Sequence, residues 1–227
     1  MTKSATGPIP AITEQIYMVA PIADINEANR AAWRWRALGY KVIYLADTKT
    51  TKEENKLKKL VDDGVIETYL YVENYRGWYA SCNLLMGIAF SRGATWCVCV
   101  GTDMDPDQTM TAQSIASTLD VNRVMQPCGD RWDIKDGKAA SERICGSPWI
   151  SKTFYENKAK KVWDERFFHY YGDEKLHDEL GDELLQRFDL THLHHHPNRE
   201  GRAKPGYLGR SWREDQRKFV GWKKTGK

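Results

Sequence analysis

The sequence lacks any apolar stretch long enough to cross a membrane as a helix. Its longest mostly apolar segments, 16–25 and 95–101, fall well short of the roughly 20 residues that a spanning helix needs. Residues 1–14 also contain no apolar run of signal-peptide length, so nothing in them directs export. We therefore expect a cytoplasmic protein with no membrane segment and with a flexible N-terminal arm over residues 1–14.

Cysteine is scarce, and its spacing does not suggest disulfides or a metal site. The chain has five cysteines, an odd number, and none forms a Cys-x-x-Cys pair. Cys97 and Cys99 alternate within an apolar run, where free thiols behave as small apolar side chains. A chain of 227 residues can also bury enough surface to fold without disulfides. The pattern therefore predicts reduced, structural thiols.

The chain carries little net charge overall, but its C-terminal end has a large excess of basic residues. The 34 basic and 31 acidic side chains give a formal charge of +3. Residues 197–227 hold ten basic and three acidic side chains, so this tail is +7 and residues 1–196 are −4. Its interleaved aromatic residues are Tyr207, Trp212, Phe219 and Trp222. The tail predicts either a surface for a polyanion with exposed bases, or a solvated helix whose aromatic side chains pack on the domain.

Strand and helix patterns alternate through the first hundred residues. Apolar runs predict strands over 15–22, 41–46, 66–72 and 95–101, with amphipathic helices between them. This alternation predicts an α/β fold with a mostly parallel central sheet flanked by helices. Ligands of such sheets bind beyond the carboxyl ends of the strands. The polar residues at those ends are Asp24, Asp47, Glu73, Asn74, Asp103 and Asp105.

The alternation weakens after residue 105. We expect a helix over 106–119, a strand over 121–127, a polar turn over 129–137 and a helix over 150–161. The sequence shows no internal repeat.

Asp103 and Asp105 follow the most apolar predicted strand, with one residue between them. Carboxylates at this spacing in a turn can offer oxygen ligands to one hard divalent cation, which is a common way to hold a diphosphate. Aspartate is frequent in turns, so the Asp-x-Asp motif is weak by itself. Its position after a fourth parallel strand makes a metal site the favoured interpretation.

The histidine cluster over 191–196 offers further candidate ligands. In an extended segment, His192, His194 and His196 share one face and His195 lies on the other. We expect His194, and after it His196, to complete a metal shell begun elsewhere. The alternatives are solvated histidines at a polar strand end, or a metal hydrolase built on the histidines.

Asp173 follows an aromatic run and a glycine within the segment 163–174. A carboxylate held at the start of a helix and partly removed from water has a raised pKa and can act as a base. The alternative is that Asp173 only caps a helix over 174–185. Arg76, before the third helix, can meet a phosphate, and Gly77 either allows a ligand to approach the backbone or only forms the turn.

These motifs and their order resemble the nucleotide-sugar glycosyltransferases of the GT-A fold, family 2 in particular. The resemblance covers about residues 15–196, and the order of the motifs is more specific than any one of them. Strand one with Asp47 resembles the nucleotide-base cradle, and 74–83 resembles the family's Asn-x-x-Gly stretch. Residues 101–107 resemble its Asp-x-Asp motif, and 145–147 the segment beside the sugar pocket.

The segment 163–173 resembles the family's run that ends in the catalytic base, and the histidine cluster stands where the family supplies a late metal ligand. Gly172 departs from the pattern, because a glutamate usually precedes the base. The resemblance implies a single Rossmann-like GT-A catalytic domain over 15–196, followed by the basic aromatic tail over 197–227.

The resemblance also implies the chemistry. A nucleotide sugar, with a UDP-sugar favoured, is the expected donor, and Mn²⁺ or Mg²⁺ offsets the charge on the departing nucleoside diphosphate. Asp173 takes a proton from the acceptor hydroxyl in a single displacement that inverts the anomeric configuration. The expected donor-binding residues are Asp24, Asp47, Arg76 and Asp103. The expected metal ligands are Asp103, Asp105, His194 and His196.

The absence of membrane segments and extra domains, together with the basic tail, bears on the acceptor. In these features, and in the segments 163–173 and 192–196, the chain resembles small phage-encoded enzymes that glycosylate hydroxymethylated pyrimidines in DNA, including those associated with TET-type dioxygenases. This implies 5-hydroxymethylcytosine or another hydroxymethylpyrimidine in double-stranded DNA as acceptor, and the host cytoplasm as location. The tail then supplies salt-sensitive phosphate attraction while a base is turned out toward Asp173.

Two alternatives remain open besides the metal hydrolase. The acceptor could be a saccharide or another small molecule, or the protein could be a noncatalytic nucleic-acid-binding module. A sugar nucleotidyltransferase shares the fold type but needs a glycine-rich loop with a basic residue after the first strand, and residues 20–26 contain neither.

Overall fold

A seven-stranded, mostly parallel sheet is the centre of the computed structural model, which describes residues 13–47, 51–130, 145–195 and 208–226. Outside these residues lie 1–12 of the expected arm, 131–137 of the expected polar turn, His196 and 197–207 of the tail.

The strands are short, and nine are present in the described residues. They are β1 (Ile16–Pro21), β2 (Lys41–Ala46), β3 (Thr68–Tyr71), β4 (Trp96–Cys99), β5 (Met104–Asp105), β6 (Val124–Pro127), β7 (Trp149–Ser151), β8 (Leu184–Arg187) and β9 (Leu193–His194). The main sheet has the order β3-β2-β1-β4-β7-β6-β8, and β5 pairs with β9 in a separate ribbon. Only β7 is antiparallel to its neighbours β4 and β6. The prediction of a mostly parallel α/β fold is confirmed.

Helices cover both faces of this sheet. They are α1 (Ile25–Ala37), α2 (Thr51–Asp62), α3 (Trp78–Ser91), α4 (Ala112–Ala116), α5 (Lys152–Asn157), α6 (Gly172–Leu180) and α7 (Leu208–Thr225). Buried side chains of α1, α2 and α4 form one core with one face of the sheet, and those of α3, α5 and α6 form a second core on the other. Strands covered on both faces read as nearly continuous apolar runs, and all residues of β1 and β4 are buried.

The start of α1 follows directly from the sequence. Asp24 is its N-cap, and Oδ1 of that residue accepts the amide N–H groups of Asn26 and Glu27 at 2.8 and 2.9 Å. The cap places the polar end of β1 and the first turn of α1 at the carboxyl edge of the sheet.

Two helices expected in the later part of the chain are much shorter in the structure. The helix expected over 106–119 is only α4, because the side chain of Asp107 binds the backbone of Thr109 and turns the chain before Thr111 caps the helix. The helix expected over 150–161 begins after Ile150, which belongs to β7, and it ends before positive φ angles at residues 159 and 160.

The predicted end of the helix over 174–185 is wrong. The helix is α6, which begins at Gly172 and stops at Gly181, where φ is +48°. The next apolar residues pair with β6 as strand β8, with Leu185 opposite Met125. Pairing with a strand sixty residues away therefore overrides local helical spacing.

The C-terminal helix α7 packs on the domain. Phe219 stacks on Tyr171, with ring centroids 5.2 Å apart, and the Lys175 ammonium lies 5.0 Å from the Trp222 ring centroid. The side chain of Asp215 is fully buried in this contact. For the residues of α7, the packing alternative is therefore the observed one.

All five cysteines are buried free thiols, as predicted. Within the described parts of the chain, none of the helices has both the length and the apolar composition needed to cross a membrane.

Candidate functional site

The ribbon of β5 and β9 brings the Asp-x-Asp motif to the histidine cluster. Met104 lies opposite His194 and Asp105 lies opposite Leu193. These strands are ninety residues apart in sequence, so only the fold unites them. Both sets of candidate metal ligands therefore share one edge of the protein.

Each aspartate of the motif contacts a histidine. Oδ2 of Asp103 lies 3.3 Å from Nε2 of His194, and Oδ2 of Asp105 lies 2.9 Å from Nε2 of His195. The guanidinium of Arg34, on α1, also binds Oδ2 of Asp105. Asp103 thus has an imidazole neighbour, whereas Asp105 is flanked by an imidazole and a permanent cation.

The local backbone fixes the orientation of Asp103. A Cβ atom added at Gly101 would lie 2.4 Å from Oδ1 of Asp103, so a larger residue would displace this carboxylate. The amide N–H of His195 donates to the carbonyl oxygen of Asp103 at 2.8 Å. The indole of Trp35 donates to the carbonyl oxygen of Met104 at 2.9 Å and fastens the ribbon to α1.

Two further aspartates hold the histidine segment in place, and the sequence analysis did not identify them. Asp107 accepts the amide N–H groups of Thr109 and Thr191, each at 2.8 Å. Burial acts to raise the pKa of Asp107, but these hydrogen bonds outweigh it and hold the pKa below its usual value. Asp130 accepts the amide N–H of His194 at 2.9 Å.

The prediction that His192 shares one face with His194 and His196 is wrong. Its ring is buried, with its centroid 5.1 Å from that of Trp35, and its Nε2 accepts the indole N–H of Trp149 at 3.4 Å. Burial lowers the pKa of His192 to about 3, against the opposing charge of Asp107, so the ring is neutral. Because β9 is only two residues long, strict alternation does not extend to His192.

His195 is the histidine that the sequence analysis missed. It contacts Asp105, although alternation assigned it to the opposite face from His194. Within the described ranges, no three His, Cys, Asp or Glu side chains form a metal-binding group. His196 lies outside the described residues.

A cleft of about 190 Å³ opens beside the motif. The outer surface of α1 forms its other wall. Its charged and polar lining residues are Glu27, Arg30, Arg34, Thr102, Asp103, Asp105 and His195. Arg34, which binds Asp105, and Arg30 therefore line the same small opening as the Asp-x-Asp carboxylates.

Asp173 lies in the first turn of α6, where it does not act as the N-cap. The N-cap is Tyr171, with φ of +64° and no side-chain hydrogen bond, so the capping alternative for Asp173 is wrong. Oδ1 of Asp173 accepts the hydroxyl of Tyr79 at 3.1 Å. Burial raises the pKa of Asp173, and hydrogen bonds from the Glu174 amide and from Tyr79 only partly oppose this. The environment suits a proton acceptor.

The two glycines near Asp173 allow one chain segment to approach another. A Cβ added at Gly172 would lie 2.5 Å from Cζ of Tyr79, which gives a physical reason for the departure from a glutamate at this position. A Cβ at Gly77, where φ is +98°, would lie 2.4 Å from the carbonyl oxygen of Phe168. Gly77 thus serves the turn and its contact with Phe168.

The turn before α6 lies within electrostatic range of the Asp-x-Asp motif. Burial lowers the pKa of His169 in this turn, and the negative charges of Asp103 and Asp215 partly oppose that lowering. His169, four residues before Asp173, is therefore the residue of this turn on which the charge of Asp103 acts.

Arg76 is not brought to the motif. It pairs with Glu165 at 3.2 Å and lines a separate cleft of about 410 Å³ on the α3 side, together with Asn74 and Lys161. Asn83, at the end of the stretch compared with the family's Asn-x-x-Gly motif, is buried and binds the backbone of Trp163 with both its amide atoms.

Asp24 and Asp47 follow neighbouring strands, since β1 and β2 pair in parallel. Asp24 already caps α1, and Asp47 is exposed. Contact of either residue with a donor remains a prediction.

No protein-family model matches the sequence, and no curated protein matches it. Solved structures do match the fold. TarS residues 1–349 from S. aureus, in complex with UDP, superposes with a TM-score of 0.59 at 10% identity, over 78% of this chain and 59% of TarS 1–349. GalNAc-T7 with UDP, GalNAc and Mn²⁺ superposes with a TM-score of 0.56 at 9% identity, over 81% of this chain and 44% of that one.

The chain thus spans about three fifths of the TarS fragment and less than half of the GalNAc-T7 chain. At sequence identities near 10%, these matches show similarity of fold alone. Both neighbours are GT-A-like glycosyltransferases, and their sheet-and-helix architecture is the one described above. The chain has the GT-A glycosyltransferase fold.

Proposed function

We propose that this protein is a metal-dependent, inverting glycosyltransferase that moves a sugar from a nucleotide sugar to an acceptor hydroxyl. The observation that carries the proposal is the β5–β9 ribbon, in which Oδ2 of Asp103 lies 3.3 Å from Nε2 of His194. That pair occupies the carboxyl edge of a GT-A sheet, where ligands of such folds bind. A UDP-sugar is the favoured donor, in keeping with the UDP in both neighbouring structures.

The donor atoms of the ribbon fit a divalent cation. Carboxylate oxygens suit Mg²⁺ and Mn²⁺, and an imidazole nitrogen beside them favours Mn²⁺. We assign the cation to Asp103 and His194, with His196 as a further ligand. Asp105 belongs to the same set through Oδ1, because its contacts with Arg34 and His195 both use Oδ2. The cation, when bound, offsets the charge that grows on the departing nucleoside diphosphate.

The donor-binding residues follow from the ends of the strands. Asp24 and Asp47 stand at the ends of neighbouring strands, where a nucleoside can bind beside Asp103. Arg76 lines the separate cleft on the α3 side and is proposed for a phosphate bound there, since its side chain is 75% exposed and its pairing with Glu165 is at the surface. Such a pair can be exchanged for a phosphate at little cost.

Asp173 is proposed as the base. The acceptor oxygen attacks the anomeric carbon while the bond from that carbon to the diphosphate oxygen breaks, and the acceptor proton passes to the Asp173 carboxylate. The diphosphate leaves from the opposite face, so the configuration inverts. A carboxylate with a raised pKa is a stronger base than an ordinary aspartate, which suits this step.

The acceptor proposed is a hydroxymethylpyrimidine, such as 5-hydroxymethylcytosine, in double-stranded DNA. Its support in the described residues is the exposed side of α7, which carries Arg213, Arg217 and Lys224. These residues are spaced by one and by two helical turns and can follow a phosphate backbone. The docking of Phe219 against Tyr171 favours the second candidate, a saccharide or small-molecule acceptor, because it removes an aromatic ring from base stacking.

The deciding experiment is mass spectrometry of hydroxymethylcytosine-containing DNA after incubation with a panel of nucleotide sugars. Reactions with Mn²⁺, Mg²⁺ or EDTA are compared, and parallel reactions contain oligosaccharides. A hexose mass added to DNA only with a metal supports the proposal in full. Transfer to saccharide alone overturns the DNA acceptor. DNA binding without any donor turnover favours the noncatalytic module.

A further inference from the structure

The hydroxyl of Tyr79, near the start of α3, is surrounded by polar atoms of the turn that leads into α6. It lies 3.0 Å from the amide nitrogen of Gly172, and 3.2 and 3.1 Å from the amide nitrogen and Oδ1 of Asp173. The carbonyl oxygen of His169 is 3.2 Å away. Tyr79 is only 2% exposed, so these protein atoms satisfy its hydroxyl.

A phenolic hydroxyl donates one hydrogen bond and accepts two. The amide N–H groups of Gly172 and Asp173 fill both acceptor positions. The single hydroxyl proton therefore has two available acceptors, which are Oδ1 of Asp173 and the carbonyl oxygen of His169.

The ring of Tyr79 has little freedom to move. Its centroid lies 5.1 Å from that of Trp78 and 5.3 Å from that of Trp163. Gly172 packs directly on the ring, because a Cβ there would come within 2.5 to 2.7 Å of three ring carbons. The hydroxyl is thus held at a defined point by packing of the ring.

The same turn is also fixed from the side of α7. The buried carboxylate of Asp215 accepts three consecutive amide N–H groups, those of Phe168, His169 and Tyr170, at 2.8 to 3.1 Å. The amide of Trp78 donates to the carbonyl oxygen of Phe168 at 2.7 Å. The backbone that leads to Asp173 is therefore held by α3 and α7 together.

We propose that Tyr79 is a positioning residue for Asp173, whose hydroxyl fixes the carboxylate and the first turn of α6 in the orientation that accepts a proton. The inference rests on the proposed role of Asp173 as base. While Asp173 is ionised, Tyr79 donates its proton to Oδ1. Once Asp173 is protonated, the hydroxyl of Tyr79 turns to the carbonyl oxygen of His169, so Tyr79 keeps a hydrogen-bond acceptor at every stage.

Tyr79 remains protonated throughout, because burial raises its pKa well above the ordinary value and the negative charge of Asp173 adds to this. It therefore orients the carboxylate and does not itself exchange protons with the acceptor.

The test is Tyr79→Phe, which keeps the ring and removes the hydroxyl. Loss of a hydrogen bond that favours the ionised carboxylate raises the titration midpoint of Asp173. We measure that midpoint by carboxyl ¹³C NMR, with the Asp173 resonance assigned by Asp173→Asn, so the readout needs no substrate. In transfer assays, kcat falls by about 10- to 100-fold while the donor KM changes by less than about threefold.

Tyr155→Phe is the matched control, because Tyr155 belongs to the same core and its ring packs on Phe90. It leaves the Asp173 midpoint and kcat unchanged. A second measurement needs no variant: in the wild-type protein, the ring Cζ resonance of Tyr79 shifts with the Asp173 midpoint, because its hydroxyl bonds Oδ1 of Asp173. It carries the test if Tyr79→Phe does not fold.

If Tyr79→Phe changes neither the titration midpoint of Asp173 nor kcat, the inference is wrong. Full transfer by Asp173→Asn overturns the base assignment instead. The two failures are distinguishable because the NMR titration reports the contact between Tyr79 and Asp173 whether or not Asp173 is the base.

Discussion

Two carboxylate regions of the protein differ in what surrounds them. At the β5–β9 ribbon, Asp103 and Asp105 face imidazoles and the guanidinium of Arg34. At the start of α6, Asp173 receives hydrogen bonds from neutral groups, and within the described residues it forms no ion pair. Asp105 has a permanently charged partner in Arg34, whereas burial raises the pKa of Asp173. One region is suited to attract a cation and the other to accept a proton.

The largest effect we expect is from Asp173→Asn. Without the base, transfer falls by about 10²- to 10⁴-fold, because proton removal from the acceptor is no longer assisted. Donor affinity, measured by calorimetry, stays within about twofold because the role proposed for Asp173 is in proton removal from the acceptor. Full transfer by this variant would contradict the assignment.

The raised pKa of Asp173 predicts how stability and transfer depend on pH. Because the folded pKa of Asp173 is raised, its ionised form is costly, and its contribution to stability declines as pH rises from the unfolded pKa through the folded one. Asp173→Asn is therefore expected to unfold at equal or higher urea concentration than the wild type at neutral pH. Transfer, in contrast, rises through the folded pKa, above the usual range of aspartate. A lower urea midpoint at neutral pH would contradict this account.

Removal of the metal ligands should have the next largest effect. In Asp103→Ala, we expect the Mn²⁺ concentration for half-maximal activity to rise by more than about 100-fold. Loss of a residue that only hydrogen-bonds to a metal ligand typically costs about 10- to 100-fold. Asp105→Ala is expected to lose the stimulation of activity by Mn²⁺, and it also removes the partner of Arg34. Asp63→Asn, at a surface pair with Lys59, is the control that leaves the Mn²⁺ titration unchanged. An unaltered titration in Asp103→Ala would favour a hydrolase built on the histidines.

Asp107 gives the opposite pH behaviour to Asp173. Its folded pKa is lowered, so its stabilising contribution is present above the unfolded pKa and is lost as pH falls through the folded pKa. Asp107→Asn is expected to lower the free energy of unfolding by about 1 to 3 kcal/mol at neutral pH, since charged hydrogen bonds to Thr109 and Thr191 are lost. Urea unfolding at pH 7 and at acid pH checks this, and the difference between variant and wild type should shrink at acid pH.

The sequence was informative where structure is local. The helices and strands up to β4 follow from apolar spacing and glycine stops, because each buries a face determined by its own residues. Beyond residue 105 the strands have two to four residues and pair with distant partners. Segments this short are too short for the spacing of apolar residues to predict them.

The candidate site divides in the same way. Asp103, Asp105, His194 and Asp173 are identifiable from spacing and residue type. His195, Arg34, Tyr79 and Asp215 were missed because each acts through a contact with residues 46 to 94 positions away. The short β9 also breaks the alternation on which the choice of histidine faces was based.

The smallest expected effect concerns the exposed side of α7. Arg213→Gln and Arg217→Gln should each weaken binding to DNA severalfold and reduce the slope of log affinity against log salt by about one, if each contacts a phosphate. Neither variant should change donor affinity, because both residues lie on the side of α7 away from the docked Phe219. Lys223→Gln is the matched control, since Lys223 pairs with Asp178 on the domain, and its replacement should affect stability slightly and the salt slope less. Equal salt slopes for all three variants and the wild type would mean that α7 serves only to hold the turn that carries Asp173.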